Sequence, residues 1–285
     1  MIVVTGATGK LGHHVIEGLL KKVLATQIVA AVRNTRKAGD LAALGVLVRH
    51  ADYTKPDTLR TAFTGADKLL LISSNELDQR IAQHRAVVAA AKTAGVHLIA
   101  YTSALRADSS TLGLAADHKA TEAEIRSSGL DFVFLRNGWY LENHTDQLGP
   151  AVQHGAILGA AGNGRFASAS RSDYAAAAVV ALADAGHENR IYELAGDHPF
   201  TLAELAAEVS RQAGKLVSYH DLPPKEYESA LVGLGIPPSI AEMLADSDLA
   251  ASRGELDSSS DDLRRLIGRP TTTLFKAVAR GLSRL

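Results

Sequence analysis

Two rhythms of apolar and polar positions alternate along the first half of the chain. Ile2 to Thr5 is a short β-branched run, and Lys10 to Lys22 places Leu11, Val15 and Leu19 at helical spacing. Gln27 to Val32 predicts a strand, Thr35 to Leu44 a helix, and Val46 to Val48 a strand. Pro56 to Phe63 predicts a helix with proline suited to its first turn. Lys68 to Ile72 is apolar on both faces of a strand, and Gln79 to Ala94 is a long helix stopped by Gly95. Leu98 to Thr102 and Phe132 to Leu135 are strands flanking a helix from Asp117 to Ser127. Strands that each alternate with a helical pattern predict an α/β fold: a Rossmann-like, doubly wound parallel sheet with helices on both faces.

After Trp139 the rhythm changes. Gly149 to Gly164 is glycine-rich and reads as loop around a short strand, Ala156 to Leu158. Ser172 to Ala185 is an alanine-rich helix, and Ile191 to Leu194 a further strand. Thr201-Leu-Ala-Glu204 is a capping box that opens a helix. Helical patterns then dominate, interrupted by Pro223-Pro224 and Pro237-Pro238. The expected organisation is a dinucleotide-binding domain from residues 1–145 and 166–196. Residues 146–165 and 197–285 would form a smaller, mostly helical C-terminal lobe on the substrate side, laid over the carboxyl ends of the sheet.

Composition narrows the chemistry. Of 285 residues, 46% are hydrophobic and 21% charged, with a formal net charge of −1, which is globular and argues against a surface that binds nucleic acid through bulk positive charge. There is no cysteine, so disulfides, thiolate nucleophiles and cysteine-ligated metals drop out. The longest apolar stretch, Ala175 to Ala183, falls short of the roughly 20 residues that span a bilayer. The amino terminus has no basic region or cleavage site, so the expectation is a cytoplasmic protein without a membrane segment. His13 and His14 are adjacent and cannot converge on one ion, and no metal site is expected.

The strongest chemical signal is the run Gly6, Ala7, Thr8, Gly9, Lys10, Leu11, Gly12, lying between the first strand and the first helix. Gly6 allows the tight turn, Gly9 lets the backbone approach a diphosphate, and Gly12 lets helix pack on strand. Helix N–H groups and the helix dipole then face the anion. Lys10 invites a Walker reading, but Val4 stands where that motif needs glycine. Arg33 ends the second strand, where an acidic residue would hold a ribose 2′-hydroxyl; an arginine there pairs with a 2′-phosphate and points to NADPH. Asp52 either meets the adenine amino group or caps the following helix. Ser73, Ser74 and Asn75 follow the fourth strand and Thr102 the fifth, where the fold places the cofactor. Asn137 and Tyr140 are the catalytic candidates. Asn137 offers an amide to a substrate oxygen, and Tyr140 a hydroxyl and, with Trp139, a stacking face. The alternative is that Trp139 and Tyr140 only seal the two lobes.

A short-chain dehydrogenase carries a Tyr-x-x-x-Lys pair on the helix after the fifth strand. Here Leu114 stands at the tyrosine's place and His118 at the lysine's, with Glu122 following, and Lys119 is a decoy. Hydride addition to a ketone makes an alkoxide whose conjugate acid has a pKa near that of water, roughly 16, and needs a positioned acid. A quinone gives an aromatic oxyanion with a conjugate acid near the phenolic value of about 10. The missing pair suits a quinone, a cationic dye, or a protein that binds the dinucleotide without chemistry.

Together TGATGKLG, AAVRN, KLLLISS, HLIAYTSAL, the His118/Glu122 segment and FLRNGWYLEN resemble the NmrA-like branch of the atypical short-chain dehydrogenases, over nearly the whole chain. The likeness is greatest to its bacterial quinone-reducing members. It implies NADPH-dependent reduction of small quinones by direct hydride transfer, without flavin or metal. It also implies that Gly6 to Leu11 and Arg33 hold the phosphates. Ser73 to Asn75 and the segment Asn137, Gly138, Trp139, Tyr140, Leu141, Glu142 would line the cofactor and substrate site, with Arg171 a further member. Lys10 and Lys119 depart from the branch, where uncharged residues are usual. The branch also holds dinucleotide-sensing regulators and suggests reductases of triphenylmethane-type dyes as a third reading. The sequence leaves the number of subunits and the physiological quinone open.

Overall fold

A computed structural model describes residues 1–146 and 148–285. In chain order, the first half contains β1 (Ile2–Thr5), α1 (Lys10–Leu19), β2 (Ile28–Val32), α2 (Gly39–Ala43), β3 (Leu47–His50), α3 (Pro56–Ala62), β4 (Lys68–Leu71), α4 (Arg80–Thr93), β5 (Leu98–Ala104), α5 (Gly113–Ser128) and β6 (Asp131–Asn137). The remainder contains α6 (Leu141–Thr145), α7 (Leu148–His154), β7 (Ala156–Gly159), β8 (Arg165–Phe166), α8 (Arg171–Ala183), β9 (Arg190–Leu194), β10 (Phe200–Thr201), α9 (Leu202–Ala213), β11 (Ser218–Asp221), α10 (Pro224–Gly233), α11 (Pro238–Ser252), α12 (Asp262–Ile267) and α13 (Leu274–Leu282).

Strands β1 to β6 pair in parallel, and β9 lies beside β6, giving the order β3-β2-β1-β4-β5-β6-β9. The order reverses between β1 and β4, and in such sheets ligands bind beyond the strand carboxyl ends at that point. Both faces are apolar because both are covered. Val3, Leu69, Leu71, Ile99, Tyr101 and Phe134 share a core with Leu59, Val87, Val88 and Ile125 from α3, α4 and α5. Helices α1 and α8 pack together so closely that a Cβ on Gly18 would stand 2.7 Å from Val179.

The chain divides into two compact units. One is Met1–Ala107, Asp117–Asn137 and Arg171–Glu193; the other is Asp108–Ala116, Gly138–Ser170 and Leu194–Leu285. The second unit has its own core, built around Leu141, Phe166, Phe200, Leu205, Val209 and Val278. It is helix-rich, yet it also holds a parallel pair, β11 with β7, and an antiparallel pair, β10 with β8. The sequence pattern anticipates only the β7 strand of these, because two-residue and partly polar strands leave no period to read. The capping box is present: Thr201 Oγ1 accepts the Glu204 N–H, and Glu204 accepts the Thr201 N–H.

Several boundaries differ from the sequence expectation. Thr35 to Leu44 is not one helix: Thr35–Ala38 is a 3-10 turn capped by Asn34, and only Gly39–Ala43 is α-helical. Helix α5 begins at Gly113, whose N–H donates to Asp246 Oδ2 at 2.9 Å, so a distant carboxylate extends its start. Helix α8 begins at Arg171, which is therefore within the first turn rather than before the helix.

Candidate active site

The loop after β1 is made by backbone. Gly6 adopts φ +60°, which a side chain would strain, and the Gly9 N–H closes the turn on the Gly6 carbonyl at 2.9 Å. A Cβ on Gly12 would stand 2.4 Å from the Gly6 carbonyl oxygen, so only glycine lets α1 run this close to the turn. Gly9 is the N-cap and makes no side-chain cap, and no acidic residue lies in the first turn. Helix geometry leaves the first-turn N–H groups without intrahelical carbonyls, which is the cradle a diphosphate needs. Ala7 is buried, while Thr8 and Lys10 are exposed beside the turn, and Leu11 packs inward. Thr5 anchors the end of β1: its Oγ1 donates to the Leu70 carbonyl and accepts from the Ile72 N–H and the Tyr53 hydroxyl.

Arg33 lies exposed just past β2, with its Nη1 donating to Glu76 Oε1 at 2.5 Å. Asp52 follows β3 and does not cap α3, whose N-cap is Lys55 without a side-chain bond. Instead its Oδ1 accepts the Thr54 N–H and hydroxyl at 3.0 and 2.7 Å, a local Asx turn. Burial pushes the Asp52 carboxyl up, but the Thr54 hydrogen bonds and the charges of Lys55 and Arg33 outweigh it and hold it below the usual value.

Beyond β4, β5 and β6 the candidate polar groups converge. The Ser73 N–H donates to Thr102 Oγ1 at 2.9 Å, which ties the ends of β4 and β5. Ser74 donates its hydroxyl to Gln83 and its N–H to His84 Nε2, while Asn75 is exposed. Asn137 closes β6 opposite Ala104, and its carbonyl accepts the Leu105 N–H. Its side chain is buried and its Oδ1 has no hydrogen-bond partner. An orphaned acceptor at a strand end fits a ligand that carries an N–H or O–H donor.

Where a dehydrogenase would hold its Tyr–Lys pair, the first unit holds a different network. His118 Nδ1 lies 2.7 Å from the Tyr101 hydroxyl, and burial, then the charges of Arg80 and His84, push its pKa down to about 3. The neighbouring His84 accepts from Ser74 at Nε2, so its Nδ1 carries the proton shared with Thr121 Oγ1 at 2.9 Å. Glu122 takes a bidentate pair from Arg136 at 2.9 and 2.7 Å, plus the Ser103 hydroxyl at 2.6 Å. Arg136 also donates to Glu193 at 2.8 Å, and Glu193 accepts the N–H of Arg106, which sits at φ +53°. Sequence reasoning placed Ser103 beside Thr102 at the end of the fifth strand but missed Arg136, Glu193 and Glu76. The one signal for Arg136 is a charged residue directly after the apolar run Phe132 to Leu135, ahead of Asn137.

From Asn137 the chain runs straight into the second unit. The Gly138 N–H donates to the Leu194 carbonyl, and Tyr140 bridges Ala169, whose carbonyl accepts the Leu141 N–H. Leu141 is buried, Trp139 packs partly against that unit's core, and Glu142 is half-buried in the first turn of α6. Arg171 is half-buried at the start of α8 in the first unit. Among the described residues no cluster of histidine, aspartate and glutamate could hold a metal, and no helix is long and apolar enough to cross a membrane.

A Rossmann-type sheet, a glycine turn at its first helix and a buried histidine in place of the Tyr–Lys pair define an atypical dehydrogenase-like frame. The chain belongs to the NmrA-like family, whose model matches residues 1–272. Quinone oxidoreductase 2 of Escherichia coli is 54% identical over 279 residues, covering 98% of each chain. The crystal structure of that organism's NADPH-dependent quinone oxidoreductase complexed with NADPH matches with TM-score 0.96, covering 98% of this chain and 99% of that one. The triphenylmethane reductase of Citrobacter complexed with NADP(H) matches at 43% identity and TM-score 0.95, covering 99% of this chain and all 100% of that one.

Proposed function

We propose that the chain is an NAD(P)H:quinone oxidoreductase that prefers NADPH and reduces small quinones by direct hydride transfer, without flavin or metal. The observation that carries this reading is the buried His118 at the dehydrogenase lysine position, held neutral with a pKa pushed down to about 3. No Tyr–Lys acid stands there, so the acceptor must tolerate hydride addition without one, as a quinone does. The full-length likeness to the Escherichia coli enzyme supports the same choice.

When bound, NADPH supplies the hydride. The residues of this chain bind and orient. First-turn N–H groups after Gly9 hold the diphosphate, and Arg33 takes the 2′-phosphate. Ser73, Ser74, Asn75 and Thr102 border the cofactor. The buried Asn137 carboxamide offers its orphaned Oδ1 to a donor on the ligand, and its N–H₂ to a developing quinone oxyanion. Tyr140 hydrogen-bonds the substrate, Trp139 stacks on it, and Gly138, Leu141, Glu142 and Arg171 complete the lining. We propose the cytoplasm as its place of action.

The test is oxidation of NADPH by purified protein, shown spectroscopically to be flavin-free, on adding 1,4-benzoquinone. Steady loss of the reduced nicotinamide, one equivalent per quinone reduced, is expected. Tight NADPH binding without turnover on any quinone or dye would mark a dinucleotide-sensing regulator instead. Turnover confined to cationic triphenylmethane dyes would favour a second reading, which the likeness to the Citrobacter reductase keeps in view.

A further inference from the structure

We propose that Glu76 sets how strongly this protein prefers a phosphorylated ribose, by occupying the Arg33 guanidinium that the 2′-phosphate needs; this rests on the reading of Arg33 given above. Glu76 Oε1 accepts from Arg33 Nη1 at 2.5 Å. The carboxylate is aligned for that contact. Its other oxygen, Oε2, accepts from Gln83 Nε2 at 2.7 Å, and Gln83 is buried on α4. Gln83 Oε1 in turn accepts the Ser74 hydroxyl at 2.5 Å, and Ser74 Oγ accepts the Glu76 N–H at 3.2 Å. The Ser74 backbone is itself held, its N–H donating to the buried His84 and its carbonyl accepting from Arg80 Nε at 2.9 Å.

An exposed ion pair between two loose side chains contributes little, because both must be ordered to form it. Here one partner is ordered in advance by a chain of hydrogen bonds that runs back to α4. Hydrogen bonds from Arg33 and then Gln83 hold the Glu76 carboxyl below its usual value, so it stays ionised. Asp52 adds a second negative charge near the same guanidinium. Arg33 Nη1 is thus already engaged, and part of the guanidinium charge offset, before a ligand arrives. A 2′-phosphate must displace Glu76 or share the guanidinium beside a like charge. A 2′-hydroxyl meets a carboxylate that can accept its hydrogen bond. Both effects narrow the gap between NADPH and NADH, while the 5′-phosphates, held by the glycine turn, are indifferent to Glu76.

Titration calorimetry with 2′,5′-ADP and 5′-AMP separates these contributions, because the two ligands differ by the 2′-phosphate. Glu76→Gln keeps the shape and removes the charge. It should bind 2′,5′-ADP about three- to tenfold more tightly at low salt, with 5′-AMP changed less than about twofold. Glu76→Ala should move in the same direction, which separates the charge effect from any local misfolding. Unchanged or weaker 2′,5′-ADP binding in both variants overturns the proposal. Arg33→Ala, measured alongside, should lose about ten- to a hundredfold on 2′,5′-ADP alone. If it does and Glu76→Gln shows no gain, the Glu76 proposal falls and the role of Arg33 stands. If Arg33→Ala treats the two ligands alike, the role of Arg33 fails and takes the proposal with it.

Discussion

Two regions of the first unit sit at strand carboxyl ends and are built on opposite principles. The turn after β1 is made of backbone: one left-handed glycine, one N-cap glycine and one glycine that tolerates no Cβ. The region around β5, α5 and β6 is made of side chains, with Glu122 and Arg136 both almost fully buried and Tyr101, His84 and His118 packed beside them. The first leaves the first-turn N–H groups of α1 without a side-chain cap, whereas the second satisfies its own polar groups. A backbone cradle loses binding when a side chain intrudes, and a buried charge network loses stability when a partner leaves.

The comparison is broken most forcefully at the network. Glu122→Ala takes the bidentate partner from the buried Arg136 and leaves it Glu193 alone, and removing one partner of a buried pair destabilises by about 3–5 kcal/mol. The midpoint of thermal unfolding should fall by on the order of ten degrees, read by calorimetry, while affinity for 5′-AMP changes less than about threefold. A stable variant that has lost nucleotide binding would reverse the two roles. Gly12→Ala tests the other side. Its Cβ meets the Gly6 carbonyl and the Ala7 Cα at 2.4 and 2.7 Å, both backbone, so the turn itself must shift. A loss of about 1–3 kcal/mol in stability is expected, with diphosphate binding weakened more than about tenfold. Wild-type affinity in that variant would mean the turn does not hold the diphosphate.

A third test is a pH dependence, carried by His84 and His118 in the first unit and by His144 and Asp248 in the second. Burial, then the Arg80 charge, lowers the His84 pKa to about 3; burial, then Arg80 and His84, lowers His118 to about 3; burial alone lowers His144 to about 4. Each folded value lies below the unfolded one of about 6.5. Their contribution is complete above that pH and is lost as pH falls toward the folded values. Asp248, raised to about 6 chiefly by burial, has the opposite sign: its contribution is complete below its unfolded value and is lost as pH rises through about 6. With three histidines against one aspartate, stability should decline from about pH 6.5 down to pH 4. The slope is about 1.4 kcal/mol per pH unit for each proton by which the unfolded chain leads. Denaturant midpoints measured across that window check it, and a flat profile would mean these imidazoles are hydrated.

Legibility followed the same division. Strands β1 to β6 and most of the helices between them could be read because each carries a period of its own. The 35–44 segment could not, since a 3-10 turn and a short helix together mimic one amphipathic stretch. Asp52 left two readings open from its position, an adenine contact or a helix cap, and its bond to Thr54 with Lys55 at the N-cap removed the second. Glu76 carried no signal in the sequence because its significance lies in two partners, one 43 residues before it and one seven after.

What the chain determined by itself is the parallel sheet, the glycine turn and the lack of a Tyr–Lys pair, because each is written in local spacing or in the identity of single residues. Tertiary structure alone decided that Glu122 and Arg136 neutralise each other, that His118 stays uncharged, and that Glu76 reaches Arg33. Those are statements about electrostatic energy, which depends on distances and burial that only the folded chain creates.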